Sequence, residues 1–206
     1  MGRAVGKDST RALASGSNLG HVQVRRSLCP GCRAAPAGPF SLKQQRCPRC
    51  GCAESLNRHS LLYGNDPHDC AGQAVRGQRV FCSNRGQRGG CGRTFCIFLA
   101  EVLPRHTVRA TLLWPLLCQW LAGASVKAAA QSLRLPFALE TLYQLLQRLR
   151  RRLPVLRPLL GQKQKAPESA DADPLGQTIR HFESVFPTAA CPLQAFQMVF
   201  ARPLMG

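Results

Sequence analysis

Four cysteines are spaced so that their thiolates can bind one metal ion. Cys47 and Cys50 form a C-x2-C pair in CPRCG, and Gly51 lets the backbone curl behind the two sulfurs. Cys82 and Cys91 follow in FCSNRGQRGGCGRTF, residues 81–95, with eight residues between them. Because Zn²⁺ prefers four tetrahedral ligands, mostly Cys thiolate and His nitrogen, we predict that these four thiolates hold one structural zinc ion.

A second C-x2-C pair competes for the same partners. Cys29 and Cys32 form CPGC, and 14 residues separate Cys32 from Cys47. That gap is just short of the ~15–20 residues usual between paired C-x2-C motifs. The flanks of Cys82 and Cys91 are typical of ribbon strands, whereas CPGC lacks a glycine after its second cysteine. The sequence therefore favours Cys82 and Cys91, with Cys29 and Cys32 as the alternative pair.

Other cysteines and histidines could add ligands or belong to the core. A redox role for the first C-x2-C pair is disfavoured, because no thioredoxin-like βαβ pattern surrounds it. A second metal is conceivable, with donors among His59, His68, Cys52 and Cys70. Lone cysteines are most often small buried hydrophobic residues, which is the prediction for Cys96, Cys118 and Cys191.

The flanks of the metal ligands predict the strands that would position them. Residues 76–81, RGQRVF, alternate as a strand should, and residues 94–99, TFCIFL, predict a second strand. Residues 29–104 contain nine of the eleven cysteines and most of the glycines. So short and glycine-rich a segment has little core, and we predict a zinc-ribbon domain over residues 29–104 that folds around its ion.

Residues 105–160 change to helical periodicity. Pro115 should kink the first helix or begin a new one, and Gly123 should end it. Ser125 is placed to N-cap the next helix, VKAAAQSL. The first helix is predicted from an apolar stripe of Val108, Leu112, Leu116, Leu117, Trp120 and Leu121.

A third helix follows RLP at residues 134–136. Thr141 and Gln144 fit a T-x-x-Q capping box at its start. Its apolar face is formed by Leu142, Leu145, Leu146, Leu149 and Leu153. Arginine can pair with guanine edges and phosphates, and glutamine with adenine. The predicted DNA-binding residues on the opposite face are Tyr143, Gln144, Gln147, Arg148, Arg151 and Arg152.

A short helix, a turn and a second helix with outward polar residues form a helix-turn-helix arrangement, whose second helix can enter the major groove. Residues 105–160 contain nine Lys or Arg and one acid, Glu140. The whole chain has 28 Lys plus Arg against 10 Asp plus Glu, a formal net charge of +18. This imbalance favours a polyanionic partner, and we expect double-stranded DNA. The alternative is an ordinary three-helix bundle with a solvated charged face.

The remaining segments complete an α+β architecture. Residues 1–28 are basic and lack periodicity, which predicts a disordered tail. Residues 161–177 are polar and contain Pro and Gly, which predicts a linker. Residues 178–206 predict a tail of two short amphipathic helices. The predicted fold is a small zinc-bound β-ribbon followed by an α-helical helix-turn-helix domain, with a flexible basic N-terminus and a short helical C-terminal tail.

The sequence argues against a secreted or membrane-spanning protein. The longest apolar run, residues 111–124, has 14 residues and contains Gln119, whereas a span needs about 20. We therefore predict a core helix there and no membrane partner. The first 20 residues lack the apolar stretch of a signal peptide. We expect a cytoplasmic, nucleoid-associated protein whose C-x2-C pairs serve a metal rather than disulfides.

The order of these motifs resembles that of a known family. CPRCG, then RGQRVFCS and GCGRTF, and then a helix-turn-helix are similar to the zinc-ribbon and helix-turn-helix DNA-binding N-terminal region of bacterial insertion-sequence transposases. The resemblance covers roughly residues 46–153. It implies zinc at the four favoured cysteines and binding of an element's terminal DNA by residues 141–152. It also implies a protein partner, either a separate catalytic transposase subunit or a second copy of this chain.

The chain departs from that family in its acidic residues. Strand transfer needs three carboxylates around two metal ions. After residue 140 the only acids are Glu168, Asp171, Asp173 and Glu183, and three of them lie in the predicted linker. We therefore predict that the protein is not an enzyme but a non-catalytic DNA-binding subunit or fragment.

Two other functions stay open from the sequence. One is an RNA- or ribosome-binding zinc-ribbon protein, in which arginines contact phosphates and the third helix only packs. The other is a protein-interaction adaptor with a surface formed by Phe182, Phe186, Phe196 and Phe200. The same four phenylalanines fit better as a cover for the helical core.

Overall fold

The computed structural model describes residues 23–25, 42–67, 72–86, 89–169 and 171–205. In these residues a β-sheet precedes five α-helices, which confirms the predicted α+β class. Almost all of the predicted tail, residues 1–28, lies outside the described residues, and so do Cys29, Cys32, His68 and Cys70.

The sheet in the described residues has four strands, which span Gln23–Arg25 (β1), Leu56–Asn65 (β2), Gln73–Cys82 (β3) and Thr94–Leu99 (β4). Their order in the sheet is β1-β4-β3-β2. Strands β2, β3 and β4 are antiparallel neighbours, and β1 runs parallel to β4. Strands β3 and β4 contain the two strands predicted from RGQRVF and TFCIFL, whereas β2 was not predicted.

The sheet buries few apolar side chains. A short 3-10 helix, Leu42–Gln44, packs beside β2 and contributes Leu42. Among the described residues, one buried cluster lies against the sheet and consists of Leu42, Cys47, Leu56, Val80, Cys82, Phe95 and Ile97. Two of its seven members are cysteines from the predicted metal site.

The five helices share a second and much larger core. They span Ala110–Leu121 (α1), Val126–Ser132 (α2), Leu139–Gly161 (α3), Pro174–Val185 (α4) and Pro192–Phe200 (α5). The predicted apolar face of α3 is buried at all five leucines and continues through Leu156 and Leu160. In the described part of the chain, no helix is long and apolar enough to cross a membrane.

Helices α4 and α5 cover this core, as expected for the C-terminal phenylalanines. Phe182 and Phe196 are buried, with ring centroids 5.4 Å apart in an edge-to-face arrangement. Helix α4 begins at Pro174, inside the predicted linker, so the connection runs only from residue 162 to residue 173. The Asp173 side chain accepts a hydrogen bond from the Leu175 N–H and caps α4, and this cap sets the boundary.

Of the helix ends predicted from the sequence, those at Gly123 and Ser125 are confirmed, and the one at Thr141 is wrong. Ser125 caps α2 by accepting a hydrogen bond from the Ala128 N–H, as predicted. Gly123 follows the end of α1 with φ +95°, also as predicted. The capping box at Thr141 was wrong, because α3 begins at Leu139 and Thr141 lies inside its first turn. Pro115 does not begin a new helix, since α1 runs through it.

Candidate metal centre and basic surface

The structure brings the four favoured cysteines together. The sulfurs of Cys47, Cys50, Cys82 and Cys91 all lie within 4.8 Å of one another. Cys47 Sγ is 3.8 Å from Cys91 Sγ, and Cys50 Sγ is 3.7 Å from Cys82 Sγ. A tetrahedral ion with metal–sulfur bonds of about 2.3 Å requires sulfurs about 3.8 Å apart. These four sulfurs could therefore hold one metal ion.

The first pair of sulfurs is positioned by a tight turn. The Gly51 N–H donates to the Cys47 carbonyl over 2.8 Å, and the Cys47 N–H donates to the Cys52 carbonyl over 2.9 Å. Gly51 adopts φ +73°, a left-handed conformation that favours glycine. The chain therefore turns back behind the sulfurs, as predicted from CPRCG.

The second pair is positioned by the end of β3 and the loop after it. The Cys91 N–H donates to Cys82 Sγ over 3.3 Å, and the Ser55 hydroxyl lies 3.2 Å from the same sulfur. A Cβ on Gly90 would lie 2.1 Å from the Ser83 carbonyl oxygen, so the loop passes where only glycine fits. These contacts place Cys91 beside Cys82 although eight residues separate the two cysteines in the sequence.

The thiols differ in how readily they ionise. Burial raises the pKa of Cys47 to about 12. A hydrogen bond from the Cys52 backbone N–H lowers the pKa of Cys50 to about 6. A bound cation needs thiolates, so metal binding would release a proton from the Cys47 thiol and depend on pH.

The remaining candidate ligands lie apart from this group. The Cys52 thiol donates to the Gly89 carbonyl over 3.0 Å, and the His59 ring is hydrogen-bonded to the Ser60 hydroxyl. Among the described residues, no second group of three or more potential ligands forms. Cys191 is buried as predicted, whereas Cys96 and Cys118 are half-buried.

The predicted DNA-binding residues lie along α3. Gln144, Gln147 and Arg151 are exposed and lie opposite the buried leucines, at the helical spacing of three and four residues. Tyr143 and Arg148 are exposed on the two flanks of this face. Arg152 is half-buried, and its Nε has no hydrogen-bond partner among the described residues.

Some basic residues pair with carboxylates from other parts of the chain, which the sequence did not reveal. Arg150 donates to the Asp173 carboxylate over 2.8 Å, and its guanidinium lies 5.6 Å from the centre of the Trp120 ring. Arg109 donates to the Glu101 carboxylate over 3.1 Å. These side chains stabilise packing between elements, so the net charge overstates the charge that is free to bind a partner.

Comparison of the chain with protein-family models, with curated proteins and with solved structures finds no match in any of the three. The function therefore has to be argued from the geometry and chemistry of the sites.

Proposed function

We propose that this chain is a zinc-dependent, non-catalytic DNA-binding protein, similar in organisation to the N-terminal region of bacterial insertion-sequence transposases. The observation that carries the proposal is the outer face of α3. Gln144, Gln147 and Arg151 point away from the core and have the chemistry needed to read base edges and neutralise phosphates.

The arrangement of α2 and α3 supports a helix-turn-helix. Helix α2 is short, is capped by Ser125 and packs against α1 and α3. The connection between the two helices, residues 133–138, departs from the usual motif, because it is longer than three or four residues. Helix α3 has 23 residues, so it is about 34 Å long and extends well beyond its contact with α2.

The ligand set supports zinc as a structural ion. Four thiolates are soft ligands that favour Zn²⁺ over Mg²⁺ or Ca²⁺. All four coordination positions would be filled by protein sulfurs, so the ion would have no open position for a substrate. Its role would then be to join the turn at Cys47 to the end of β3 at Cys82.

The positions of the acidic residues support a non-catalytic role. The Asp171 carboxylate accepts a hydrogen bond from Arg180 over 2.6 Å. The Asp173 carboxylate caps α4 and pairs with Arg150. Each carboxylate is therefore paired with an arginine, and that of Asp173 also caps a helix. Phe182 and Phe196 are buried and do not offer the surface that an adaptor would need.

The experiment that tests this proposal is a titration of the zinc-loaded protein against duplex DNA and duplex RNA of the same sequence, followed by fluorescence anisotropy across a salt series. We expect DNA binding that weakens with salt. Arg151→Gln should weaken it and lower the salt slope by about one, because one phosphate contact is lost. The matched control is Lys163→Gln, which removes one exposed charge beyond the far end of α3.

Three outcomes would contradict the proposal. Equal affinity for both duplexes would favour the RNA-binding alternative. An unchanged affinity in Arg151→Gln, Gln144→Ala and Gln147→Ala would show that the outer face of α3 does not contact DNA. If the protein binds neither the DNA duplex nor the RNA duplex, double-stranded nucleic acid is excluded as the partner.

A further inference from the structure

We propose that a groove beside α3 seats a phosphodiester group of the DNA backbone through Arg105, His106 and Arg148. The inference rests on the proposed DNA binding. It adds contacts from the loop before α1, outside the helix that the sequence predicted to bind DNA.

The groove has a volume of about 380 Å³. Its walls are the end of β2 with the two residues after it, the loop at residues 105–108, residues 136–137 before α3, and the first three turns of α3. Gln144 and Arg148 line the groove and also belong to the predicted DNA-facing set. The groove therefore opens beside the proposed DNA surface. Its volume is in the usual range for a small bound group and leaves room for a phosphate with its sugar.

His106 supplies a neutral hydrogen-bond donor. The Arg148 guanidinium donates to His106 Nδ1 over 3.3 Å. Because a guanidinium has no acceptor, Nδ1 must accept, and the ring proton resides on Nε2. Burial, and then the charges of Arg148 and Arg76, lower the pKa of His106, so the ring is neutral. Among the described residues, no group is hydrogen-bonded to Nε2.

Two guanidinium groups make the groove attractive to an anion. Arg105 is exposed, and its φ of +65° is unusual for a residue other than glycine. Arg148 lines the groove from α3 and is hydrogen-bonded to His106. The Asp66 carboxylate also lines the groove, but it lies 3.9 Å from the Arg109 guanidinium. That pairing reduces the repulsion that Asp66 would exert on a phosphate.

Arg76 fixes the loop that carries Arg105 and His106. The β2–β3 register skips Arg76, and such a bulge re-aims a side chain. Its guanidinium donates to the carbonyls of Leu103 and His106. A Cβ on Gly64 would lie 2.3 Å from Arg76 Cδ, so glycine leaves the path of this side chain open. The sheet therefore holds the groove in place before a ligand arrives.

The same strand connects the groove to the metal centre. Arg76 and Cys82 lie six residues apart on β3, which is about 20 Å along an extended strand. The C-terminal end of the strand contributes a candidate metal ligand, and Arg76, in its N-terminal half, supports the phosphate site. A metal ion bound at Cys82 would therefore also help to fix the strand that shapes the groove.

The test compares Arg105→Gln, His106→Ala and His106→Gln with the wild-type protein, by anisotropy with duplex DNA across a salt series. Arg105→Gln should weaken binding and lower the salt slope by about one. His106→Ala should weaken binding about fivefold with an unchanged slope, because a neutral donor is lost. His106→Gln should restore most of the affinity, since its amide can donate from nearly the same place.

The control is Lys163→Gln, about 20 Å along the helix axis from Arg148. Full affinity and an unchanged slope in Arg105→Gln and His106→Ala, together with weaker binding in Arg151→Gln, would overturn the groove and leave the proposed function intact. Absence of wild-type DNA binding would overturn both. Far-UV circular dichroism checks folding. If His106→Ala does not fold, Arg105→Gln still decides, because its exposed side chain makes no hydrogen bond within the described residues.

Discussion

The sheet region (β1–β4 with the 3-10 helix) and the helical region (α1–α5) are held together by different means. In the described residues, the sheet region has a buried cluster of seven side chains, and two of them are cysteines of the candidate metal centre. The helical region has a buried cluster of 24 side chains, of which 14 are leucines. Burial of apolar surface suffices for the second region, whereas the first needs another source of free energy.

The difference between the two regions gives a physical reason for a metal site in the sheet region rather than in the helical core. A small sheet gains too little from burial to offset its conformational entropy, and a structural metal can supply the difference. The two regions still meet, since Gln197 of α5 reaches the carbonyls of Ala100 and Val102 just after β4. Their stabilities should therefore be separable in large part but not completely.

The largest expected effect comes from removing the metal. Chelation of the zinc-loaded protein, or Cys82→Ser, should unfold the sheet region while far-UV circular dichroism retains the helical signal. Structural zinc contributes on the order of 10 kcal/mol of folding free energy, more than this sheet can replace. Amide hydrogen exchange resolved by residue would show loss of protection in β2 and β3.

Cys96→Ala is the matched control, because Cys96 lies on β4 outside the group of four sulfurs. It should retain one zinc per chain and protection of the sheet. A sheet that keeps its protection after complete chelation would contradict the difference between the two regions.

The next effect is a cavity in the helical core. Phe196→Ala should destabilise the helical region by about 3–5 kcal/mol, because it removes a fully buried ring that packs against Phe182. Urea unfolding followed by far-UV circular dichroism measures the loss, and zinc content should be unchanged. Val199→Ala on the same helix is the control and should cost less than about 0.5 kcal/mol, since Val199 is half exposed. Release of zinc by Phe196→Ala at low urea would mean that the regions unfold as one.

A smaller effect tests the contact between the regions. Gln197 is buried, its amide donates to two carbonyls and its oxygen accepts from the Leu204 N–H. Gln197→Ala should cost about 3 kcal/mol, because it leaves buried backbone groups unsatisfied. Protection should fall at both the end of β4 and α5 in hydrogen exchange. Gln131→Ala, at an exposed position of α2, should change neither.

The smallest effect separates a real helix cap from an apparent one. Ser125→Ala should cost about 1 kcal/mol, because it removes the hydrogen bond to the Ala128 N–H. Thr141→Ala should cost much less, since Thr141 does not cap α3. Thermal unfolding of the two variants gives the comparison, and equal losses would place a cap at Thr141 after all.

Sequence reasoning succeeded where spacing alone carries the information. Leu142 to Leu153 recur at helical spacing, and all five predicted leucines are buried. The C-x2-C pair and Gly51 predicted a turn that the structure contains. Sequence reasoning failed at β2, because apolar and polar residues do not alternate in LNRHSLLYGN. This strand also pairs with β3 through two register shifts. Sequence reasoning also missed the cap at Asp173, which lies in a polar segment that has the composition of a linker.

The sequence by itself determined the α+β class, the turn at Cys47 and Cys50 and the leucine face of α3, because each depends on residue type and on spacing along the chain. The sequence left two cysteine pairs as candidates for the remaining ligands, and the tertiary structure placed Cys82 and Cys91 beside the first pair. Only the tertiary structure decided which basic residues are free. Arg76 and Arg150 are ordinary arginines in the sequence, yet they are fixed by Leu103, His106 and Asp173, which lie 23 to 30 residues away. Such contacts depend on how strands and helices meet in space, and no local pattern encodes them.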